Sequence, residues 1–110
     1  TGDDRARARI DELNAENKQL NAVKDYLLNL RNKIDDAKEH VDAAITDFNS
    51  GGHIMGDYND NEYTQSTEFT YVTSRLTTAN AYATRLIDDI NATISSNNQK
   101  IQNEQNKLNK

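Results

Sequence analysis

The side chains best suited to chemistry in this sequence are the carboxylates and amides of the stretch "DYNDNEYTQSTE", residues 57–68. Asp57, Asn59, Asn61, Gln65 and Glu68 occupy positions 1, 3, 5, 9 and 12 of this stretch, which is the spacing of the oxygen ligands in an EF-hand calcium loop. Calcium binding is therefore one interpretation of these residues.

Other positions of the same stretch do not fit a calcium loop. Glu62 stands where the sharp turn of an EF-hand requires glycine, and Thr64 stands where paired EF-hands carry an aliphatic residue. The segment "SGGHIMG" also interrupts the helix that should precede the loop. The alternative, which we favour, is a solvated turn whose Asn and Asp side chains bond to the local backbone, with Ser66 or Thr67 capping the next helix.

The rest of the chain has few groups that could perform catalysis. His40 and His53 are thirteen residues apart, with no cysteine and no well-placed third ligand, so they do not indicate a metal site. No phosphate-binding glycine loop or nucleophile elbow is present, and the acidic pairs at 35–36 and 88–89 fall on segments expected to be exposed helix. We therefore predict no enzyme activity and no cofactor.

The composition narrows the choice of partners. The chain has 110 residues, a net charge of -5 and 35% hydrophobic residues, which indicates one domain with a limited capacity to form a core. An acidic chain is poorly suited to nucleic acid, whose phosphates favour clustered Lys and Arg. No apolar run approaches the roughly 20 residues that span a bilayer, so membrane insertion is not expected.

Glycine and proline usage predicts two long helices. The chain has no proline, and its glycines are confined to Gly2, Gly51, Gly52 and Gly56. Nothing therefore breaks a helix over about residues 4–48 or 67–110, with a turn at about 49–66. The predicted fold is all-α, a single antiparallel two-helix hairpin resembling a coiled coil.

Apolar residues recur at intervals of seven in both helices, as in a coiled-coil seam. In the first helix the repeat comprises Leu13, Leu20, Leu27, Ile34, Val41 and Phe48, with Val23, Leu30, Ala37 and Ala44 as companions. In the second helix it comprises Phe69, Leu76, Ala83 and Ile90 with Val72, Ala79 and Leu86, and then Ile87, Ile94, Ile101 and Leu108. The change between these two sets predicts a stutter-like shift of the seam near the middle of the second helix.

Each of the two helices can bury only one apolar stripe against the other, so part of the apolar surface is expected to remain exposed and available to a partner. We predict exposure of Tyr26, Leu28, Tyr71, Tyr82 and one of the pair Ile87 and Ile90, and completion of a four-helix bundle by a second helical protein or a second copy. The predicted interface residues are Leu20, Leu27, Leu30, Ile34, Leu86, Ile87, Ile90 and Ile94. At the turn, Ile54, Met55 and Gly56 are predicted to form a recognition surface.

Two asparagines stand where the seam should carry apolar residues. Asn17 and Asn97 could be buried amides that fix register and partner choice, as polar seam residues do in coiled coils. They could also lie in a solvated, frayed open end of the hairpin, because the sequence around residues 97–109 is rich in Asn and Gln. We favour the second interpretation.

The length, the two long helices and the tripeptide Ile54-Met55-Gly56 at the turn resemble the small helical hairpins of the Trp-X-Gly superfamily, above all those that accompany LXG-domain toxins. The superfamily is exported by type VII secretion systems of Gram-positive bacteria. Here the tripeptide has no Trp, and the string of the form Tyr-X-X-X-Glu, from Tyr58 to Glu62, falls inside the turn rather than near the C-terminus. The resemblance therefore implies that a bound partner supplies the export signal.

The expected function is that of a non-enzymatic helical partner, targeting factor or chaperone-like protein for a type VII secretion effector. Its partner would be the helical N-terminal domain of the effector, another small helical protein or a second copy. The resemblance implies a protein that is secreted, or cytoplasmic before export. The alternative is a structural coiled-coil segment of a larger surface, phage or cytoskeletal protein.

Overall fold

Two long α-helices make up the described part of the protein. The computed structural model describes residues 1–51 and 59–109, in which α1 spans Gly2–Gly51 and α2 spans Asn59–Leu108. No strand occurs in these two ranges. The predicted all-α helical hairpin is confirmed, whereas its completion to a four-helix bundle stays a prediction.

The first turn of α1 begins two residues earlier than predicted because Thr1 caps it. The backbone N–H of Asp4 donates to Thr1 Oγ1 at 3.3 Å, which satisfies one of the free amides of the helix start. Asp3 and Asp4 also place negative charge in the first turn, where the helix dipole favours it.

The predicted turn at 49–66 is too long at both ends. α1 continues through Gly51, and α2 already begins at Asn59. Gly and Asn each lower helix stability by only about 1 kcal/mol or less, and no proline is present to block the helix. Ser66 and Thr67 consequently lie inside α2 rather than at its start.

The chain divides into two compact units, each of which contains part of both helices. The terminal unit comprises Thr1–Leu28 and Thr84–Lys110, and the middle unit comprises Asn29–Ala83.

In the terminal unit the two helices run antiparallel. Asn17 is hydrogen-bonded to Asn97 at 2.9 Å, while Ala6 and Glu104, which are closer to the ends of the chain, line a common depression. The buried apolar side chains of this unit are Ala6, Leu13, Leu27, Ile87 and Ile90. Leu13 is the largest side chain of the described residues to be almost completely buried.

The middle unit is also antiparallel. Asn80 Nδ2 donates to Asp35 Oδ1 at 3.5 Å, and the rings of Phe48 and Phe69 meet edge to face with their centroids 6.3 Å apart. Phe48 and Phe69, the seam positions that flank the predicted turn, therefore pack together. Val72, which the sequence also placed in the seam, is 43% exposed.

The seam of α2 has no stutter, so that prediction is wrong. Apart from Thr84, its buried and half-buried positions from Phe69 onward follow an alternation of three and four residues: Phe69, Thr73, Leu76, Asn80, Ala83, Ile87, Ile90, Ile94, Asn97, Ile101, Glu104 and Leu108. Thr73 and Asn80 take the places assigned to Val72 and Ala79, and Leu86 lies beside the seam. The seam keeps one repeat of 3.5 residues along α2, and some of its positions are polar. The prediction was wrong because it assigned only apolar residues to the seam.

The exposed side chains agree in part with the sequence. Tyr26, Leu28, Tyr71 and Tyr82 are exposed, as predicted. Neither Ile87 nor Ile90 leaves the seam, so that part of the prediction is wrong. The helices have more exposed apolar residues than expected, namely Val23, Val72 and Leu86. Within the described ranges, neither helix contains an apolar stretch that could cross a bilayer.

Candidate interaction surfaces

A cluster of amides forms the most structured polar site of the terminal unit. Asn97 Nδ2 donates to Asn17 Oδ1 at 2.9 Å and to Glu16 Oε1 at 3.1 Å. Asn17 Nδ2 in turn donates to Asn98 Oδ1 at 3.0 Å. Both donor amides thus have partners on the opposite helix, which is the condition for burying polar groups at low cost.

Burial separates the two interpretations of these asparagines. The exposed fraction is 9% for Asn17 and 3% for Asn97. The favoured interpretation, a solvated and frayed end, is therefore wrong for these two residues. The polar residues around them are solvent-facing, and that neighbourhood misled the prediction. Buried amides paired across a seam favour one register, because sliding one helix past the other would leave them unpaired against apolar side chains.

Three basic residues occupy one row of the α1 seam. Lys24, Arg31 and Lys38 recur at intervals of seven and are half-buried. Long basic side chains can cover apolar surface with their methylene groups, and in Arg31 the Nε of the guanidinium is itself buried. Within the middle unit, a further helix packed against Arg31 and Lys38 would bury their charges, so a partner is better accommodated away from these two residues.

The eight predicted interface residues do not share one environment. Four of them are already buried by the chain itself: Leu27, Ile34, Ile87 and Ile90. Leu20, Leu30 and Ile94 are half-buried, and Leu86 is 52% exposed. Their contact with a partner stays a prediction, and of the eight only Leu86 has most of its side-chain surface available.

Exposed apolar side chains of the terminal unit lie beside Leu86. Val23 is 49% exposed and Tyr26 is 68% exposed, and their spacing of three places them on one face of α1. Val23 and Leu86 each directly precede a seam position, and in an antiparallel pair such positions flank the same side. With Asn17 level with Asn97, the rise per residue puts Val23 and Leu86 about 8 Å apart along the axis. We call Val23, Tyr26 and Leu86 the apolar side patch.

A second exposed feature lies on α2 in the middle unit. The guanidinium of Arg75 stacks over the ring of Tyr71, 4.8 Å from its centroid, and donates to the Tyr71 hydroxyl. Tyr71, Arg75 and Tyr82 line a shallow groove with Ser74, Thr78 and Ala79. Sequence reasoning predicted the two tyrosines to be exposed but missed their association with an arginine, which the spacing of four residues between Tyr71 and Arg75 could have indicated.

The backbone conformation of α2 argues against the calcium interpretation. Asp57 and His53 lie outside the described residues, but α2 includes Asn59 through Glu68. These are positions 3 to 12 of the proposed loop, and a continuous helix cannot wrap its ligands around one ion as an EF-hand loop does. In the described part of the chain no cluster of His, Asp and Glu could hold a metal, and His40 Nδ1 is bonded to the carbonyl of Asp36 at 2.7 Å.

The predicted recognition surface at the turn, Ile54, Met55 and Gly56, lies outside the described residues. It stays a prediction.

Comparisons of the chain with protein-family models, with curated proteins and with solved structures found no significant match to any of the three.

Proposed function

We propose that this protein is a non-enzymatic interaction module that binds another helical protein through the apolar side patch. The observation that carries the proposal is the exposure of Val23, Tyr26 and Leu86, which antiparallel helix geometry places on one side of the terminal unit. Aromatic and aliphatic side chains grouped in this way are typical of a protein-binding surface, because their transfer from water on binding is favourable.

The paired amides of the same unit support this proposal. A binding surface built from two helices requires them to keep one register, since a slip would separate Val23 from Leu86. Asn17 and Asn97 provide a hydrogen bond of 2.9 Å that only one register satisfies. The patch is thus carried by a part of the hairpin with a defined alignment.

The resemblance to the Trp-X-Gly superfamily supports a more specific form of the proposal. In that form the protein acts as a targeting or chaperone-like partner of an LXG-type effector in type VII secretion by a Gram-positive bacterium. The effector's helical N-terminal domain covers the apolar side patch and carries the export signal.

The specific form of the proposal predicts that an LXG-type toxin is encoded beside this chain, and the N-terminal domain of that toxin is the partner to test. We expect a complex between the chain and the toxin's N-terminal domain by titration calorimetry, with affinity lowered at least about tenfold by Leu86→Ser, since exposed apolar anchors at interfaces contribute on this scale. The melting temperature of the free chain should change little. Thr93→Ser, on the same helix but with a hydroxyl bonded to the carbonyl of Asp89, is the matched control. Tight binding that is insensitive to Leu86→Ser would contradict the proposed surface.

The alternative, a structural coiled-coil segment, is favoured by the unbroken repeat of α2. A reading frame that continues this repeat into a longer protein, without a neighbouring toxin gene, would support the alternative and contradict the secretion proposal.

A further inference from the structure

The outward face of α2 carries a second row of residues with seam spacing. Tyr71, Arg75, Thr78 and Tyr82 are separated by four, three and four residues, and all four are exposed. This alternation is the one that lines up side chains along a coiled-coil contact. The row is distinct from the inward seam, which in this region consists of Phe69, Thr73, Leu76, Asn80 and Ala83. We call it the outer row.

The outer row is organised rather than merely exposed. Arg75 stacks on Tyr71 and donates to its hydroxyl, so two long side chains are held in one arrangement before any partner arrives. Tyr and Arg are among the residue types most enriched at the centres of protein interfaces. Between Phe69 and Ala83 the sequence contains no Asp or Glu, and Arg75 is the only charged residue.

The order of the residues in the outer row is self-complementary. In an antiparallel pairing of two α2 helices about a point midway between Arg75 and Thr78, Tyr71 meets Tyr82 of the second copy, and Arg75 meets Thr78 of the second copy. The spacing continues by three residues at each end of the row, to Glu68 and to Arg85 on the same helix. In the antiparallel pairing each Glu68 meets an Arg85 of the second copy, which gives two opposite-charge pairs.

Other orientations lack this complementarity. A parallel pairing would place Arg75 against Arg75 and Glu68 against Glu68, so like charges would face each other. Both arrangements have two-fold symmetry, in which one surface binds an identical surface, so the charge contacts alone favour the antiparallel one.

From this charge complementarity we propose that the outer row is a homodimer interface that binds a second copy of this chain, with the two α2 helices antiparallel. Because the row is short and rich in polar groups, the dimer is weak and forms in a concentration-dependent manner. The proposal does not rest on the proposed function, since Val23, Tyr26 and Leu86 are not part of the outer row.

The experiment is sedimentation velocity of the full chain over a concentration series, with a charge swap as the decisive variant. We expect a reversible monomer–dimer equilibrium for the wild type. Glu68→Arg and Arg85→Glu should each weaken the dimer at least tenfold, because each brings like charges together. The double variant Glu68→Arg/Arg85→Glu should restore dimerisation, since it exchanges the signs within each pair.

Two further variants separate this interface from other surfaces. Tyr82→Ser should weaken the dimer, whereas Tyr26→Ser, which alters an exposed tyrosine on α1, should not. Helicity measured by circular dichroism and the melting temperature verify that each variant is folded.

Three results would overturn the proposal. The first is a wild type that stays monomeric at the highest soluble concentration. The second is a double charge swap that fails to restore a dimer weakened by its single changes. The third is a dimer that is lost on Leu86→Ser but kept on Tyr82→Ser, which would assign self-association to the apolar side patch. If a strictly monomeric chain binds the toxin, the dimer proposal is wrong and the proposed function still holds.

Discussion

Buried polar groups behave differently in the two units. In the terminal unit the side chains of Asn17 and Asn97 donate to one another's helices, and both are buried. In the middle unit Arg31 Nε and Thr73 Oγ1 are buried with no hydrogen-bond partner among the described residues. Both units therefore place polar residues in the seam: the Asn17–Asn97 pair favours one alignment, whereas the buried Arg31 Nε and Thr73 Oγ1 carry a desolvation cost.

The terminal unit also has more buried apolar side chains than the middle unit. Five of the buried apolar side chains of the described residues belong to the terminal unit, and only Ile34 and Ala83 belong to the middle unit. Buried apolar area is the main favourable contribution to folding, so we expect the terminal unit to be the more stable of the two. Substitutions at Leu13, at the Asn17–Asn97 pair and at Thr73 test this difference between the units.

The largest effect is expected from Leu13→Ala in the terminal unit. Leu13 is 1% exposed, and its truncation should lower the free energy of unfolding by about 2 to 5 kcal/mol through lost burial and a residual cavity. Leu86→Ala, at a site that is 52% exposed, is the control and should cost much less. Urea denaturation followed by circular dichroism measures both. Equal losses would show that the terminal core is not packed as described.

An intermediate effect is expected from Asn97→Ala. This change leaves Asn17 Oδ1 and Glu16 Oε1 without a donor, so it should cost about 1 to 3 kcal/mol. The double change Asn17→Leu/Asn97→Leu should be neutral or stabilising, because both partners become apolar together.

The double leucine variant should lose its single alignment even though it keeps its stability. Spin labels at Arg9 and Lys107, which line a common depression, should give one narrow distance distribution in the wild type and a broad or multiple one in the double variant. An equally narrow distribution in both proteins would show that apolar packing alone sets the register.

The smallest effect is expected from Thr73→Val in the middle unit. Valine has nearly the shape of threonine but lacks the buried hydroxyl, so the change should stabilise the protein by about 1 kcal/mol. Thr78→Val is the control, because its hydroxyl is exposed and bonded to the carbonyl of Ser74 at 3.0 Å. A destabilising Thr73→Val would indicate that the hydroxyl is satisfied after all.

Much of the fold could be predicted from the sequence, because periodicity and the lack of proline act locally. The two helices and the meeting of Phe48 with Phe69 follow from the seven-residue repeat. The repeat in α2 was predicted incorrectly. Placing Val72 and Leu86 in the seam requires a stutter, whereas the structure has Thr73 and Asn80 in the seam and needs none. Which residues of a mixed polar and apolar row face inward depends on the partner helix, and a single helix does not carry that information.

The candidate sites were less predictable, because they depend on pairing between residues far apart in sequence. Asn17 and Asn97 were recognised as seam positions, but the surrounding Asn and Gln residues suggested solvent rather than a buried pair. The partner surface was assigned to buried seam residues such as Leu27 and Ile90, whereas the exposed apolar side chains lie next to the seam. Hydrophobicity alone does not distinguish a side chain that packs inward in the seam from one that lies exposed beside the seam.

The amide pair also sets a chemical lifetime for the molecule. An asparagine side chain hydrolyses to a carboxylate when the backbone nitrogen of the next residue attacks it, and a rigid helix keeps that nitrogen out of reach. Were Asn97 to age in this way, its donor would be lost and the new carboxylate would face Glu16 Oε1, which the amide nitrogen now approaches at 3.1 Å. Each local unwinding of this part of α2 therefore allows hydrolysis of the Asn97 side chain. The loss of its donor is irreversible, and refolding cannot restore the hydrogen bond that aligns the two helices.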